Sequence, residues 1–365
     1  MKNNHADKPL MITIFALVIF GLVMIFSAGI ALSLNNFGEP YHYFYHQLFY
    51  GIIPGLVFWM IFQNIDYHRL EKFAFPFFIF ALVTLILVLI PGIGQVHKGA
   101  ARWLVLGPIS FQPTEVAKLA MILYLAAWFA SKRDKIRSFM EGFFPFLGIL
   151  AVMSLLVFMQ PDVGTLGMIV IISMVIFFLA SGKLSHLASL LMVGIVALFF
   201  MVKLAPYRMA RLTVFLNPGT DPQGIGYQIN QALIAIGSGG LWGIGLGHGR
   251  QKFLYLPEPV GDSIYAILCE ELGLIGGVVL VLLFIVIGWR GFMITKKAPD
   301  FFGKLVAGGI TAWITFQAFI NIAAITSLMP LTGIPLPFVS YGGSALIIVL
   351  IASGILLNIS KKITP

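Results

Sequence analysis

The sequence predicts an all-α fold: a polytopic membrane protein with ten transmembrane helices and one large extracytoplasmic loop between helices 7 and 8. Of its 365 residues, 59% are apolar and only 10% are charged, and the mean hydropathy is +0.97. Soluble domains carry about 25% charged residues because their surfaces face water. A chain with so few charges exposes most of its surface to lipid, which excludes a soluble enzyme, a disordered chain and a nucleic-acid-binding module.

Ten apolar runs are long enough to cross the hydrocarbon core of a bilayer as helices, a crossing that takes about 20 residues. We predict spans at 10–32, 46–63, 73–91, 112–130, 142–159, 162–181, 184–203, 262–288, 305–327 and 340–359. The first run is too long for the apolar core of a signal peptide, and no convincing small-residue cleavage site follows it. We therefore expect it to remain as a span.

The basic residues predict how these spans are oriented. With ten spans both termini lie on one side of the membrane, and the segments on that side carry most of the Lys and Arg residues. The opposite side carries Lys98, Arg102, Lys203, Arg208, Arg211, Arg250 and Lys252. Most of these lie in one long loop, and long loops weigh little in the positive-inside rule. Both termini are therefore predicted to be cytoplasmic.

The long loop, about 204–261, is the only sizeable segment outside the spans, and residues 1–365 are predicted to form a single transmembrane domain. The loop is rich in Gly and Pro, which mark turns and places of close backbone approach. It also carries the apolar residues Leu233, Ile234, Ile236, Leu241 and Trp242. We expect it to pack onto the outer membrane face, and a loop of this length in a compact protein is usually functional.

Acidic residues inside or at the ends of the spans are candidates for function, because ionisable groups are costly in a membrane. Asp162 and Asp262 each stand just before an apolar helix, where Asp is a favoured N-cap. Capping is the expectation for Asp162, whereas capping and catalysis are both open for Asp262. Glu270 and Glu271 lie about 12 to 14 Å below Asp262 on the same helix. For them we expect a structural hydrogen-bonding role.

Charged residues of both signs are predicted at the outer ends of the spans. Glu115 and Lys118 are spaced i, i+3 at the start of the fourth span and share one helix face. They either neutralise each other or contact a substrate. The outer basic groups are Arg102, Arg208, Arg211, Arg250 and Lys252. They are either solvated surface residues or a site for the phosphates of a lipid headgroup, which guanidinium groups hold bidentately.

Two further patterns do not indicate a site. His42 and His46 are spaced i, i+4 as zinc ligands often are, but no third ligand is evident, and an interfacial aromatic cluster accounts for the segment better. The alternating glycines at 243–249 miss the dinucleotide-binding pattern and do not follow the strand of a βαβ unit.

Several groups of residues, taken in chain order, are similar to the motifs of a known family. They are Gly99-Ala-Ala-Arg102-Trp103; Phe111-Gln-Pro-Thr-Glu115-Val-Ala-Lys118; Gln160-Pro-Asp162-Val-Gly-Thr165; Phe215-Leu-Asn-Pro218 with Gly226-Tyr-Gln228; Gln251-Lys252 with Tyr255-Leu-Pro-Glu258; Asp262 with Glu270-Glu271-Leu-Gly273; and Gly333-Ile-Pro-Leu-Pro-Phe-Val-Ser-Tyr-Gly-Gly343. Together they resemble the SEDS family, the FtsW/RodA/SpoVE proteins of bacterial wall synthesis. Gln251-Lys252 and Pro91-Gly-Ile-Gly94 are more similar to the FtsW branch, and Leu331-Thr-Gly-Ile334 to the RodA branch.

The resemblance implies a peptidoglycan glycosyltransferase of the bacterial cytoplasmic membrane that polymerises lipid II, FtsW-like and acting in cell division. It also implies a class B penicillin-binding protein and other divisome or elongasome proteins as partners. The family's essential carboxylate maps onto Asp262, and the residues that would line or shape an outer cavity are Arg102, Glu115, Lys118, Asp162, Arg208 and Arg211. The chain departs from the family pattern at Val260, Gly261 and Ser263, where His-Thr usually precedes the Asp and Phe follows it.

Such a reaction needs a base and positive charge. A carboxylate that takes the proton of the attacking sugar hydroxyl accelerates the step by about 10² to 10⁴, and we expect Asp262 to act as this base or as a metal ligand. The leaving lipid diphosphate would be held by the basic set, Lys252 included, or by a divalent cation, Mg²⁺ or Mn²⁺. The alternatives are a lipid II flippase, a RodA-like elongation polymerase, and a scaffold that only activates its penicillin-binding partner.

Overall fold

A computed structural model describes residues 6–97, 100–107, 109–217 and 224–363 of the chain. These residues form fourteen α-helices and one antiparallel sheet of strand order β1-β2-β3. The helices are α1 Lys8–Ala28, α2 Ile30–Phe37, α3 His42–Gln47, α4 Ile53–Asn64, α5 His68–Leu89, α6 Pro113–Ser131, α7 Phe144–Phe158, α8 Val163–Leu179, α9 Leu184–Lys203, α10 Pro206–Leu216, α11 Ile225–Ser238, α12 Ile264–Lys297, α13 Phe301–Ile325 and α14 Gly343–Lys361. The strands are β1 Gly94–His97, β2 Ala100–Leu106 and β3 Ile109–Phe111.

Nine helical segments in the described part of the chain are long and apolar enough to cross a membrane, and α8 is a shorter apolar helix of 17 residues. Each predicted span coincides with one of these ten segments. The second span is formed by α3, a π-helical turn at Leu48–Ile52 and α4. The prediction of an all-α, multi-pass membrane protein is therefore confirmed, while the side on which the termini lie stays a prediction.

Helices α6, α13 and α14 lie at the centre of the bundle. In the most apolar 18-residue stretch of each of these helices, 72%, 78% and 78% of the residues are buried inside the protein, against 6% for the peripheral α9. Small residues allow this packing: a Cβ added at Gly309 of α13 would lie 2.9 Å from a side-chain carbon of Ile122 on α6. Membrane helices associate through such close contacts, because lipid provides no hydrophobic force between them. Polar side chains on α6 and α13 are thus held in the interior of the protein.

The small sheet lies between α5 and α6 and carries Arg102 on its middle strand. Gln95 of β1 is opposite Trp103 of β2, and Leu104 of β2 is opposite Phe111 of β3. Strand β3 leads directly into α6, which begins with Pro113, a residue favoured in the first turn of a helix. The sheet therefore sets Arg102 at the same end of the bundle as the start of α6.

Helix α12 is broken at Gly273, where the backbone turns to φ +68°. In lipid, the backbone groups freed by such a break must find partners within the protein. The glycine-rich segment 239–249 supplies them. Ile244 and Gly245 donate their N–H groups to the carbonyls of Glu270 and Glu271 at 3.1 and 3.0 Å. On the other side of the break, the N–H groups of Leu274 and Ile275 donate to the carbonyls of Gly240 and Leu241 at 2.9 and 3.3 Å.

This arrangement corrects the expectation that the whole loop 204–261 packs onto the outer membrane face. Helix α11 packs along the first half of α12, and the segment after it reaches the level of residues 270–275. That level is about 12 to 20 Å along the helix axis from Asp262. The segment follows this path because α11 buries Ile229, Ala232 and Ala235, and because its glycines allow the two backbones to meet. The chain thus runs along α12 as far as the break and returns to Asp262, and we call residues 239–261 the re-entrant segment.

Candidate active site

Asp262 stands at the end of the re-entrant segment, just before α12 begins. Its carboxylate oxygen Oδ1 accepts a hydrogen bond from Nε2 of Gln228 on α11 at 3.2 Å. Its backbone carbonyl accepts another from Nδ2 of Asn321 on α13 at 2.9 Å. The residue is partly exposed, whereas the next one, Ser263, is fully buried. Asp262 is therefore accessible from outside the protein and is fixed through both its side chain and its backbone.

The connection between α13 and α14, residues 326–342, packs against Asp262 from the other side. Ser340 donates its hydroxyl to the carbonyl of Gly261 at 2.7 Å, and the N–H of Tyr341 donates to the carbonyl of Val260 at 2.8 Å. A Cβ added at Gly333 would lie 3.9 Å from Oδ2 of Asp262. Asn321 holds the same connection by donating to the carbonyl of Ile334 at 2.8 Å. The α13–α14 connection thus forms one wall of the candidate site.

Arg102 and Asp162 meet at the turn between α7 and α8. Nε and Nη2 of Arg102 donate to the carbonyls of Gln160 and Pro161 at 3.1 and 2.5 Å. The buried carboxylate of Asp162 accepts from the N–H of Thr165 at 3.1 Å and from its hydroxyl at 2.8 Å. The expected role of Asp162 as the N-cap of α8 is confirmed. Arg102 is engaged with the backbone of the turn that carries this cap.

Glu115 and Lys118 form a buried ion pair on α6, with Nζ 2.8 Å from Oε1 and side chains only 3% and 0% exposed. Lys118 also donates to Oε1 of Gln317 on α13 at 2.7 Å, and the same oxygen accepts from Nε1 of Trp313 at 2.7 Å. The sequence left two alternatives for this pair, mutual neutralisation and contact with a substrate, and the buried ion pair agrees with mutual neutralisation. Gln317 lies one helical turn from Asn321, so α13 connects the ion pair to the backbone of Asp262.

Arg208 and Arg211, two of the predicted basic residues, both lie on α10 but make different contacts. Arg211 on α10 is exposed and donates to the carbonyl of Leu331 at 3.2 Å, in the connection that borders Asp262. Arg208 donates to the hydroxyl of Tyr207 at 2.8 Å and to the carbonyl of Met201 at 3.1 Å. Its guanidinium carbon lies 5.5 Å from the ring centre of Phe158 on α7. Arg211 is thus the exposed member of this pair that lies beside the α13–α14 connection.

The position of Lys252 requires a correction. Its side chain is 1% exposed, and Nζ lies 2.6 Å from Oε1 of Glu271 and 2.9 Å from Oγ of Ser27 on α1. Glu271 is about 13 Å along α12 from Asp262. Lys252 was predicted as an outer cation for phosphate, but the re-entrant path of the segment carries it into the interior. There it is paired with Glu271, and the structure does not bring it to Asp262.

Glu270 and Glu271 have the structural role expected of them. A carboxylate oxygen of Glu270 accepts from the backbone N–H groups of Arg250 and Gln251 at 2.8 and 3.3 Å. Both carboxylate oxygens of Glu271 lie 2.7 Å from the hydroxyl of Ser27. The two carboxylates therefore fasten the re-entrant segment to α12 and α1.

The contacts of Gln228 and Asn321 with Asp262 were not predicted from the sequence. Gln228 belongs to the quoted Gly226-Tyr-Gln228 group, and this was the only signal that pointed to it. Asn321 is a polar residue in the middle of an apolar span, and such residues in membrane helices commonly make hydrogen bonds between helices. Either signal identifies a residue of interest, but neither identifies its partner.

The donor groups near Asp262 do not make up a metal site by themselves. Within residues 6–97, 100–107, 109–217 and 224–363, no three His, Cys, Asp or Glu side chains are grouped closely enough to hold a metal ion. His46, one member of the predicted i, i+4 pair, lies 2.9 Å from the hydroxyl of Tyr341. This contact fits the aromatic interpretation of the segment.

Comparison with known proteins identifies the family. The family model described as "Cell cycle protein", that of the FtsW, RodA and SpoVE proteins, matches residues 8–364. Stage V sporulation protein E of Bacillus subtilis (strain 168) is 43% identical over 360 residues, covering 99% of this chain and 98% of that protein. The probable peptidoglycan glycosyltransferase FtsW of Geobacter sp. (strain M18) is 38% identical over 356 residues, covering 98% and 97%.

Solved structures share the fold over almost the full length. A chain from a peptidoglycan synthase complex superposes with a TM-score of 0.79 at 28% identity, covering 97% of both chains. The rod-shape-determining protein RodA of Thermus thermophilus superposes with a TM-score of 0.73 at 26% identity, covering 99% of this chain and 98% of RodA. This chain therefore belongs to the SEDS family of FtsW, RodA and SpoVE proteins.

Proposed function

We propose that this protein is an FtsW-like peptidoglycan glycosyltransferase that polymerises lipid II in bacterial cell division. The names of its full-length relatives support the activity. The observation that supports the site is the partly exposed Asp262, whose carboxylate is bonded to Gln228 and whose backbone carbonyl is bonded to Asn321 where α11, α12 and α13 meet.

In the proposed reaction, the 4-hydroxyl of one lipid-linked disaccharide attacks the anomeric carbon of another. A new glycosidic C–O bond forms, the C–O bond to the diphosphate breaks, and the lipid diphosphate leaves with the electron pair. The carboxylate of Asp262 accepts the proton of the attacking hydroxyl. A sugar hydroxyl is a poor nucleophile at neutral pH, and a positioned base accelerates its attack by about 10² to 10⁴.

The leaving diphosphate needs positive charge close to the carboxylate. Arg211 is the candidate donor at this place, because it is exposed and bonded to the α13–α14 connection next to Asp262. A guanidinium group can hold two phosphate oxygens at once. Arg102 and Arg208 lie on neighbouring elements and would shape the entrance for the substrate. A divalent cation, if one is bound, would use the carboxylate of Asp262 and phosphate oxygens of the substrate and would supply further positive charge there.

The proposed setting is the bacterial cytoplasmic membrane, with both termini in the cytoplasm and Asp262 at the outer face. The excess of Lys and Arg in the other connections supports this orientation. We propose a class B penicillin-binding protein as partner, since the similar structure of the synthase complex concerns the coordination of polymerization and crosslinking. Both lipid-linked substrates would diffuse in the same leaflet, which keeps their reacting sugars at a similar height.

A lipid II flippase is the second candidate, because broken membrane helices beside charged groups are found in transporters. In this protein the freed backbone groups of residues 270, 271, 274 and 275 are already bonded to the re-entrant segment. The carboxylates of Glu270 and Glu271 are also engaged. The break therefore has a structural partner within the chain, which favours the polymerase.

The test is polymerisation of lipid II by the purified protein with its penicillin-binding partner, the transpeptidase of the partner being inactivated. Asp262→Asn keeps the size of the side chain and removes the base, so it is expected to make no long glycan strands. Asp134→Asn, in the exposed turn after α6, is the matched control and should polymerise as the wild type does. Near-normal strands from Asp262→Asn would refute the assignment, and translocation of lipid II by that variant in liposomes would favour the flippase.

A further inference from the structure

We propose that Gln228 is a positioning residue, which holds the carboxylate of Asp262 in the orientation that receives the proton of the sugar hydroxyl. This inference rests on the proposed role of Asp262. Gln228 does not need to touch the substrate, since it acts through the carboxylate.

The geometry of the amide group carries the proposal. Nε2 of Gln228 lies 3.2 Å from Oδ1 of Asp262 and 3.0 Å from the hydroxyl oxygen of Ser263. An amide NH₂ group has two hydrogens, so it can make both bonds at once. Ser263 is fully buried and therefore does not move with the surface of the protein. The amide thus connects Oδ1 of Asp262 to the hydroxyl of Ser263, a buried residue directly before α12.

The position of Gln228 is itself fixed at both ends of its helix. Next to it on α11, Ile229 is buried against the protein. At the far end of α11, a Cβ added at Gly239 would lie only 1.9 Å from the carbonyl oxygen of Cys269, which shows how tightly α11 meets α12. Beyond that point, the four backbone bonds across the break and the Lys252–Glu271 ion pair anchor the segment. The re-entrant fold therefore holds a neutral donor beside the carboxylate.

A neutral amide is suited to this task. It donates a hydrogen bond that favours the ionised carboxylate, and it does not form the strong, bidentate ion pair that an arginine would form. The carboxylate is thereby oriented and remains able to accept a proton. Without the amide the carboxylate loses its fixed orientation, and a misplacement of about 1 Å at a reacting group lowers the rate by up to about 10²-fold.

The variant that tests the inference is Gln228→Met, which keeps the length and approximate volume of the side chain and removes both N–H donors. From initial rates over a range of lipid II concentrations, with the penicillin-binding partner present, we expect kcat to fall about 10- to 100-fold and KM to change by less than about threefold. Gln228→Glu has the same shape but places a second carboxylate beside Asp262, and we expect it to be at least as impaired. Gln231→Leu, one turn further along α11 and half-buried, is the control that should change neither constant.

The outcomes separate this inference from the proposed function. Wild-type kcat in Gln228→Met overturns the positioning role, and so does a rise in KM at unchanged kcat, which would make Gln228 a substrate-binding residue. An equal loss in Gln228→Met and Gln231→Leu, with lowered thermal stability in both, would assign α11 a structural role only. If instead the wild-type protein makes no glycan strands, the proposed function itself fails. If Asp262→Asn polymerises normally, the role of Asp262 as the base fails, and the positioning role of Gln228 fails with it.

Discussion

Lys252 and Glu271 form an ion pair in the interior of the protein, with Nζ 2.6 Å from Oε1 and both side chains at most 1% exposed. The hydroxyl of Ser27 lies within hydrogen-bonding distance of both partners. Three elements are joined at this point: the re-entrant segment, the first half of α12 and α1. The pair therefore fixes the path of the segment that also carries Asp262.

We predict that Lys252→Met destabilises the protein by about 3 to 5 kcal/mol, because it leaves Glu271 buried without its cation. The double variant Lys252→Met/Glu271→Leu should recover most of this loss, since it replaces both charges with apolar groups. Thermal unfolding of the detergent-purified protein measures both. Lys296→Met, at an exposed position near the end of α12, is the control and should lie within about 0.5 kcal/mol of the wild type. A single variant as stable as the wild type would contradict the prediction.

A second prediction concerns Gly243 of the re-entrant segment, which lies beside the break of α12 and has φ +80°. A Cβ at this position would lie 2.1 Å from the carbonyl oxygen of Glu271, a backbone atom that cannot move aside cheaply. The left-handed backbone alone makes a non-glycine residue unfavourable by about 1 to 3 kcal/mol. Gly243→Ala should therefore lose both thermal stability and polymerisation.

The control for Gly243→Ala is Gly167→Ala on α8, where an added Cβ meets no atom within 4 Å. Alanine is a better helix former than glycine, so this variant should be as stable as the wild type or slightly more stable. If both variants behave alike, the close backbone approach at the break is not what makes Gly243 necessary.

These contacts mark the limit of what the sequence predicts. The spans follow from hydropathy over about 20 residues, and the cap of Asp162 depends on Thr165 in the next turn. Both signals are local, and both predictions were confirmed. The partners of Lys252 depend instead on how distant elements dock, since Ser27 lies 225 residues away in the chain. The position of Lys252 in the predicted outer loop placed it among the outer cations.

The re-entrant path could not be read from hydropathy either. At 14 residues, α11 is too short to span a bilayer, and its apolar residues fit a helix lying on the membrane surface equally well. Gln228 was missed as a site residue for a related reason. A neutral amide on such a helix shows no charge pattern, and its role depends on the carboxylate that the fold places beside it.

The N-cap of α8 offers a test of whether Asp162 has any role beyond structure. Asp162→Ala should destabilise the protein by about 0.5 to 2 kcal/mol, since the N–H of Thr165 loses its partner. Asp162→Asn retains a capping oxygen and should keep nearly all of the stability. Polymerisation per folded molecule should be unchanged in Asp162→Asn. A large loss of kcat in a fully stable Asp162→Asn would show that the charge itself serves the reaction.

A pH dependence is expected at the turn between α4 and α5. The carboxylate of Asp66 accepts from the ring Nδ1 of His68 at 2.7 Å and from its backbone N–H at 3.0 Å. These bonds lower the pKa of Asp66 from 3.8 to about 2. Because the ionised form is favoured in the folded state, the stabilisation is complete above about pH 4 and is lost as the pH falls towards 2.

Asp66→Asn should therefore unfold at a lower temperature than the wild type at pH 5, and the gap should close between pH 4 and pH 2. Thermal unfolding across this range measures it. The effect is expected to be small because the pair is exposed to solvent. A gap that persists unchanged at pH 2 would mean that ionisation of Asp66 is not its source.

The last prediction concerns Arg211, the exposed cation beside the α13–α14 connection. If it holds the diphosphate of lipid II, Arg211→Ala should raise KM about 3- to 10-fold with a smaller change in kcat, because an exposed charge contributes modestly to binding. Arg211→Lys keeps the charge but loses the planar fork and should lie between the two. Arg250→Ala removes another exposed arginine of the same long segment and should leave KM unchanged. Since the interaction is screened by salt, the effect of Arg211→Ala should shrink as ionic strength rises, and a KM equal to that of the wild type at low salt would remove Arg211 from the binding site.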